Sequence, residues 1–171
     1  MRTKKVRVLP YDPGWKSEFQ KLRIYLENAL GESALAVEHV GSTSVEGLPA
    51  KPILDIDVVI RDCGDFPDVK NRLEGIGYFH EGDLGIADRE AFRYQDSRGF
   101  MVHHLYVCPQ DSRELKRHVA FRDYLRTHPE DREKYAKTKL RAADAFPEDI
   151  DGYMAEKGPC IEEIYRKIGL M

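Results

Sequence analysis

The segment Ile53, Leu54, Asp55, Ile56, Asp57, Val58, Val59, Ile60 constrains the fold more than any other part of the chain. It is rich in β-branched residues, which pack well on a pleated surface, and it reads as a strand. Side chains alternate along a strand, so Asp55 and Asp57 share one face with Ile53 and Val59. The opposite face then carries Leu54, Ile56, Val58 and Ile60. The two acidic Cα atoms should stand roughly 6.5–7 Å apart, close enough for both carboxylates to converge on a divalent ion. An acid buried in an otherwise apolar strand is costly unless it is paired or metal-bound. The plainer alternative is one solvent-facing Asp at the strand end and one ion-pair partner.

Upstream, residues 34–40 form a compact apolar run, read as a strand, which leads into Gly41-Ser42 and a stretch of turn-formers ending at Pro52. Glycine permits a tight turn with exposed amides, and serine offers a hydroxyl to a phosphate oxygen. A phosphate cradle followed by paired acids is the layout of metal-assisted phosphoryl transfer, with Mg²⁺ bridging phosphate and carboxylates. Lys51, between the turn and the acidic strand, is either a phosphate-neutralising ammonium or a solvated loop lysine.

The remaining elements follow from periodicity. Residues 6–9 suggest a short edge strand. Trp15, Phe19, Leu22, Leu26 and Leu30 recur at threes and fours, one face of a helix that Gly31 closes. A helix is expected over 66–76, and strands over 91–95 and 100–108, with Asp96 to Gly99 as a hairpin turn. After residue 112 the pattern turns helical: one helix to His128-Pro129, a second over 129–145, and a third over 150–168 broken at Gly158-Pro159. This is an α+β chain with a mixed sheet and helices packed on one side, a single domain of 171 residues whose 112–171 portion is a helical tail.

Composition narrows the function. Lys+Arg is 27 against Asp+Glu 30, a net charge of -3, so a basic nucleic-acid coat is not expected, although a local basic face stays open. Arg113, Lys116, Arg117, Arg122 and Arg126 read as a solvated helix face, offset by Glu114 and Asp123. Cys63, Cys108 and Cys160 are scattered, with no CxxC spacing for zinc, which fits a reducing compartment. No apolar stretch is long enough for a signal peptide or a membrane span, so a cytoplasmic location is expected.

The stretch His39-Val-Gly-Ser-Thr-Ser-Val45, followed by Ala50-Lys-Pro-Ile-Leu-Asp-Ile-Asp-Val58, resembles the signature of the GrpB family, grouped with the nucleotidyltransferase fold. The resemblance continues in His104-Leu-Tyr-Val107, in Phe121-Arg-Asp-Tyr-Leu-Arg-Thr-His-Pro129, and in Tyr135 with Lys139. It implies a nucleotidyltransferase-like mixed sheet with flanking helices and a C-terminal helical cap. It also implies transfer of a nucleoside monophosphate from an NTP to an unknown acceptor. Gly41 and Ser42 would contact the triphosphate, and Asp55 and Asp57 would bind Mg²⁺, with Mn²⁺ or another divalent ion as substitute. Active members of the fold usually add a third acid from a neighbouring strand. The strand over 100–108 has none and offers His103 and His104 on opposite faces. The family pattern favours His104 as the third ligand and catalytic group; the family's second histidine is Tyr106 here, a departure. A catalytically silent nucleotide- or phosphate-binding module is the competing reading. His39 is expected as a hydrogen-bonded core residue, Lys139 as a surface lysine, and His118 is given no role.

Overall fold

A computed structural model describes residues 5–95 and 99–170. Helix α1, Gly14–Leu30, buries Trp15, Phe19, Leu22, Leu26 and Leu30, the stripe that the periodicity gives. Strand β1, Ala36–Val40, leads through the Gly-Ser turn to β2, Leu54–Ile60. Helix α2 spans Phe66–Glu74 with proline in its first turn, where a missing N–H costs nothing. Strands β3, Tyr78–Gly82, β4, Glu90–Tyr94, and β5, His103–Pro109, complete the sheet. The tail is α3, Arg113–Thr127, α4, Pro129–Ala145, and α5, Ile150–Lys167. The side chains of Ser112 and Asp149 cap α3 and α5, accepting from the N–H groups of Leu115 and Gly152.

The strand order is β1-β2-β5-β4-β3, with β2 and β5 parallel and every other pair antiparallel. The mixed α+β architecture expected from the sequence is therefore present. One sheet face carries Leu54, Ile56, Val58, Ile60, Phe92, Leu105 and Val107, which pack on α1 and α2. Leu22, Leu26 and Leu30 are fully buried there, each worth roughly 1.5–3 kcal/mol of transfer free energy. The other face carries Val59 and Cys108 against Leu115 of α3. Helices thus cover both faces, not one: the apolar stripe of α3 seals what α1 and α2 leave open. The tail also grips the loop between β1 and β2, since Val45 and Leu48 pack against Phe121, Leu125, Tyr135 and Ile164.

Other expectations shift. Residues 6–9 form no strand, only a single bridge from Leu9 to Ala50. Strand β3 has no counterpart in the periodicity reading. Helix α5 continues through Pro159 instead of breaking there. Pro159 and the preceding-turn Ala155 are both exposed, so the carbonyl that loses its N–H partner stays open to water. The expected hairpin turn over 96–99 falls mostly outside the described residues. Among the described residues no helix is long and apolar enough to cross a membrane.

Candidate active site

Parallel pairing sets the site's geometry. The register places Asp55 opposite His104 and Asp57 opposite Tyr106. Paired residues project to the same face, so these four lie together on the face turned away from α1 and α2. His104 Nδ1 donates to Asp55 Oδ1 at 3.1 Å. His103 points the other way, donating from Nδ1 to the Met101 carbonyl at 2.7 Å and accepting from the Tyr78 hydroxyl at Nε2, 2.8 Å away. Burial lowers its pKa, so it is a neutral core residue.

Asp57 is completely buried, and its Oδ2 accepts from His118 Nδ1 at 2.7 Å. Its Oδ1 has no partner. Burial pushes the Asp57 carboxyl up, and the hydrogen bond and charge of His118 pull against that. Burial alone would lower His118, but the Asp57 hydrogen bond and charge, helped by Glu114, raise it. His118 Nε2 stands 3.5 Å from Glu114 Oε2, one turn earlier on α3. His118, given no role from the sequence, is thus the counter-ion of the buried acid. Only the docking of α3 reveals this; the sequence carries no local signal for it. The guanidinium of Arg89 lies over the Tyr106 ring, 4.2 Å from its centroid.

Gly41 has φ 74, a region open to glycine and poorly accessible to residues with a Cβ. A Cβ at this position would sit 2.4 Å from Asp55 Oδ2, so the turn and the acid can approach only because the side chain is missing. Residues Ser42–Ser44 form a 3-10 turn, with the Ser44 hydroxyl donating to the Gly41 carbonyl at 2.5 Å. Burial raises the pKa of Tyr135 on α4, and the nearby Ser42 hydroxyl pulls against that. His39 Nε2 pairs with Thr43 Oγ1 at 2.9 Å, its ring stacked on Phe19, and burial, then the Arg126 charge, drops its pKa to about 4. It is the buried, hydrogen-bonded residue expected.

A cleft of about 270 Å³ opens beside Asp55, lined also by Ser42, His104, Lys51, Lys139 and Lys157. Lys139 is not a surface residue: it is 2% exposed, and its Nζ donates to the Pro49 carbonyl at 2.8 Å. The basic residues of α3 are likewise more engaged than a solvated face would be. Arg122 donates to Glu38 at 2.7 Å and to the His39 carbonyl, Arg126 donates twice to the Ser44 carbonyl, and Arg117 lies over the Tyr165 ring. These bonds hold the Gly-Ser turn and β1 against the tail.

Glu38 is paired with Asp57 across β1 and β2, the topological position from which a third acid could come, but its carboxylate is held by Arg122. Among the described residues no three His, Cys, Asp or Glu side chains are gathered as a metal cage. The residues nonetheless suit Mg²⁺, which is commonly held by one or two carboxylates together with substrate phosphates and water. The orphaned Oδ1 of Asp57 and the Asp55 Oδ2 beside the missing Cβ of Gly41 are the oxygens it could use.

The chain is similar to known proteins over nearly its whole length. The family model described as "GrpB protein" matches residues 5–167. The crystal structure of the conserved protein GrpB from Enterococcus faecalis superposes with a TM-score of 0.80 at 34% identity, covering 95% of this chain and 99% of that one. The UPF0157 protein YqkA of Bacillus subtilis (strain 168) is 31% identical over 93% of this chain, which spans 46% of that longer protein. Cid1, solved in complex with its short product ApU, shows a distant likeness at 14% identity and a TM-score of 0.47, over 79% of this chain and 45% of its own.

Proposed function

Because this chain belongs to the GrpB family, we propose that it transfers a nucleoside monophosphate from an NTP to an acceptor, as yet unidentified, with the help of Mg²⁺. One observation carries the reading: Asp55 and Asp57 share a sheet face, with the Gly41 turn against one acid and a lysine-lined cleft beside it. Gly41, Ser42 and Lys51 bind the phosphates. Asp55 and Asp57 hold the ion, and His104 occupies the third position, fixing Asp55 through Nδ1 and presenting Nε2 as a ligand or proton acceptor. When bound, the metal supplies charge neutralisation and polarises the phosphoryl oxygens. His118 keeps Asp57 in place, and the chain's own share of the work is positioning and electrostatic complementarity. A cytoplasmic setting, where NTPs are plentiful, belongs to the same reading.

A second reading, a catalytically silent nucleotide- or phosphate-binding module, is favoured by the engagement of Glu38 with Arg122 and by Tyr106 standing on β5 where an acid would complete the site. The two separate in one experiment. The protein is incubated with each of four NTPs and Mg²⁺, followed by thermal shift and then by pyrophosphate release. The transferase reading expects stabilisation and release, both lost in Asp55→Asn. Stabilisation without release for any NTP and acceptor supports the silent module, and an Asp55→Asn variant that binds Mg-NTP as wild type does removes the metal assignment.

A further inference from the structure

Cations without counter-ions are costly to withdraw from water, and this protein gathers three lysines in one cleft, Lys139 buried and Lys51 and Lys157 partly buried. Lys51 comes from the loop before β2, Lys139 from α4 and Lys157 from α5. Among the described residues none of the three has a carboxylate within ion-pair distance; Lys139 donates a hydrogen bond to the Pro49 carbonyl and lies 5.1 Å from the centroid of the Tyr135 ring. Between them lies Tyr153, wholly buried, its ring 5.4 Å from Lys51 Nζ and 4.8 Å from Lys157 Nζ. Its hydroxyl lacks any hydrogen-bond partner. The buried Tyr153 hydroxyl without a partner and the buried Lys139 ammonium without a carboxylate both make the cleft costly as it stands.

We infer that Lys51, Lys139, Lys157 and Tyr153 form a built site for a polyphosphate chain of two or more phosphates, adjoining Asp55. Three ammoniums and a hydroxyl supply donors from three elements to a ligand rich in acceptors. The excess of positive charge over the lone carboxylate of the cleft suits a highly charged anion better than a monoester phosphate. Lys139 and Lys157 are both pushed down by burial and then by their lysine neighbours, the signature of cations that an arriving anion would relieve. The cleft also accounts for the helical tail as more than a lid, since α4 and α5 contribute three of the four groups. The inference deepens the transfer reading and rests on it only for which end of a nucleotide lies here: the tail beyond the phosphoryl group nearest Asp55.

The test uses the full chain and no metal. Inorganic tripolyphosphate, pyrophosphate and phosphate are titrated calorimetrically in EDTA. The expected order is tripolyphosphate over pyrophosphate over phosphate. Lys157→Met weakens tripolyphosphate about tenfold or more, the worth of one charged hydrogen bond. Lys137→Met, the same charge change on the exposed side of α4, leaves affinity unaltered. Tyr153→Phe gives a readout that a purely structural role would not: it weakens tripolyphosphate while leaving the melting temperature unchanged or raised, because it deletes an unsatisfied hydroxyl. Wild type failing to bind tripolyphosphate, or Lys157→Met and Tyr153→Phe both binding it as wild type does, overturns the site. An NTP that binds more tightly than tripolyphosphate assigns the chain to a nucleotide tail; equal affinity assigns it to free polyphosphate, and both keep the site. Tripolyphosphate binding with no pyrophosphate release from any NTP removes the transferase reading and leaves this one standing.

Discussion

His118 Nδ1 and Asp57 Oδ2, 61 residues apart in sequence, meet at 2.7 Å and join the helical tail to the middle of the sheet. Removing the imidazole strands a carboxylate that has no other partner, its Oδ1 being already orphaned. His118→Ala should therefore cost about 3–5 kcal/mol, the range for breaking a buried ion pair from one side. Asp57→Asn combined with His118→Ala should cost less than the sum of the two singles, because the amide carries no charge to strand. Urea denaturation of the four proteins gives the coupling energy, and additive singles would mean that the pair is not an interacting unit.

Gly41→Ala places a methyl group 2.4 Å from Asp55 Oδ2 at a residue with positive φ. The backbone strain alone is worth about 1–3 kcal/mol, and relief requires Asp55 to move. The expected outcome is a folded but less stable protein that no longer binds Mg-NTP. Circular dichroism and a nucleotide titration check both halves, and undiminished binding would separate the turn from the acid.

Ser42→Ala should weaken NTP binding by about 1–3 kcal/mol if its hydroxyl meets phosphate. Tyr135→Phe removes the hydroxyl that Ser42 influences but keeps the serine, so NTP affinity should be retained in that variant. Equal losses in both would assign Ser42 to the loop's architecture instead.

Lys157 fixes a pH dependence. The unfolded chain takes up its proton near the ordinary value of 10.5, whereas burial, followed by the Lys51 charge, holds the folded value down to about 8. A base with a depressed folded pKa contributes its full stability above 10.5, loses it as pH falls, and has lost it below 8. Lys157→Met should thus be more stable than wild type at pH 7 by about 1–3 kcal/mol, with the advantage shrinking toward pH 10. Chemical denaturation at the two pH values decides it; an advantage that does not change with pH would mean the ammonium is not desolvated.

The parts of the site legible in sequence are those set by local periodicity. Alternation along β2 places Asp55 and Asp57 on one face, and the same rule separates His103 from His104. The α1 stripe is legible for the same reason. His118, Lys139 and Lys157 are invisible to such reasoning, because a histidine or lysine on an amphipathic helix looks identical whether its face meets water or a buried acid. The docking of the tail decides that, and docking depends on apolar residues elsewhere, such as Phe121 and Ile164 meeting Val45 and Leu48. Strand β3 escapes because it is the sheet's edge, with Tyr78 its one buried residue and a register shift near Gly82 that disrupts the alternation.

The parallel pairing of β2 with β5 has a consequence for the growing polypeptide. Asp55 and His104 are 49 residues apart, and bringing such distant segments together costs about 3 kcal/mol of chain entropy before any reward. During synthesis β1 and β2 can pair first, which leaves the other edge of β2, apolar apart from two carboxylates, open until β5 emerges. An open apolar edge invites pairing with a second nascent chain, and charges within it are the usual protection. Asp55 and Asp57 would then serve the protein before it has an active site, as gatekeepers that keep the unfinished sheet from the wrong neighbour.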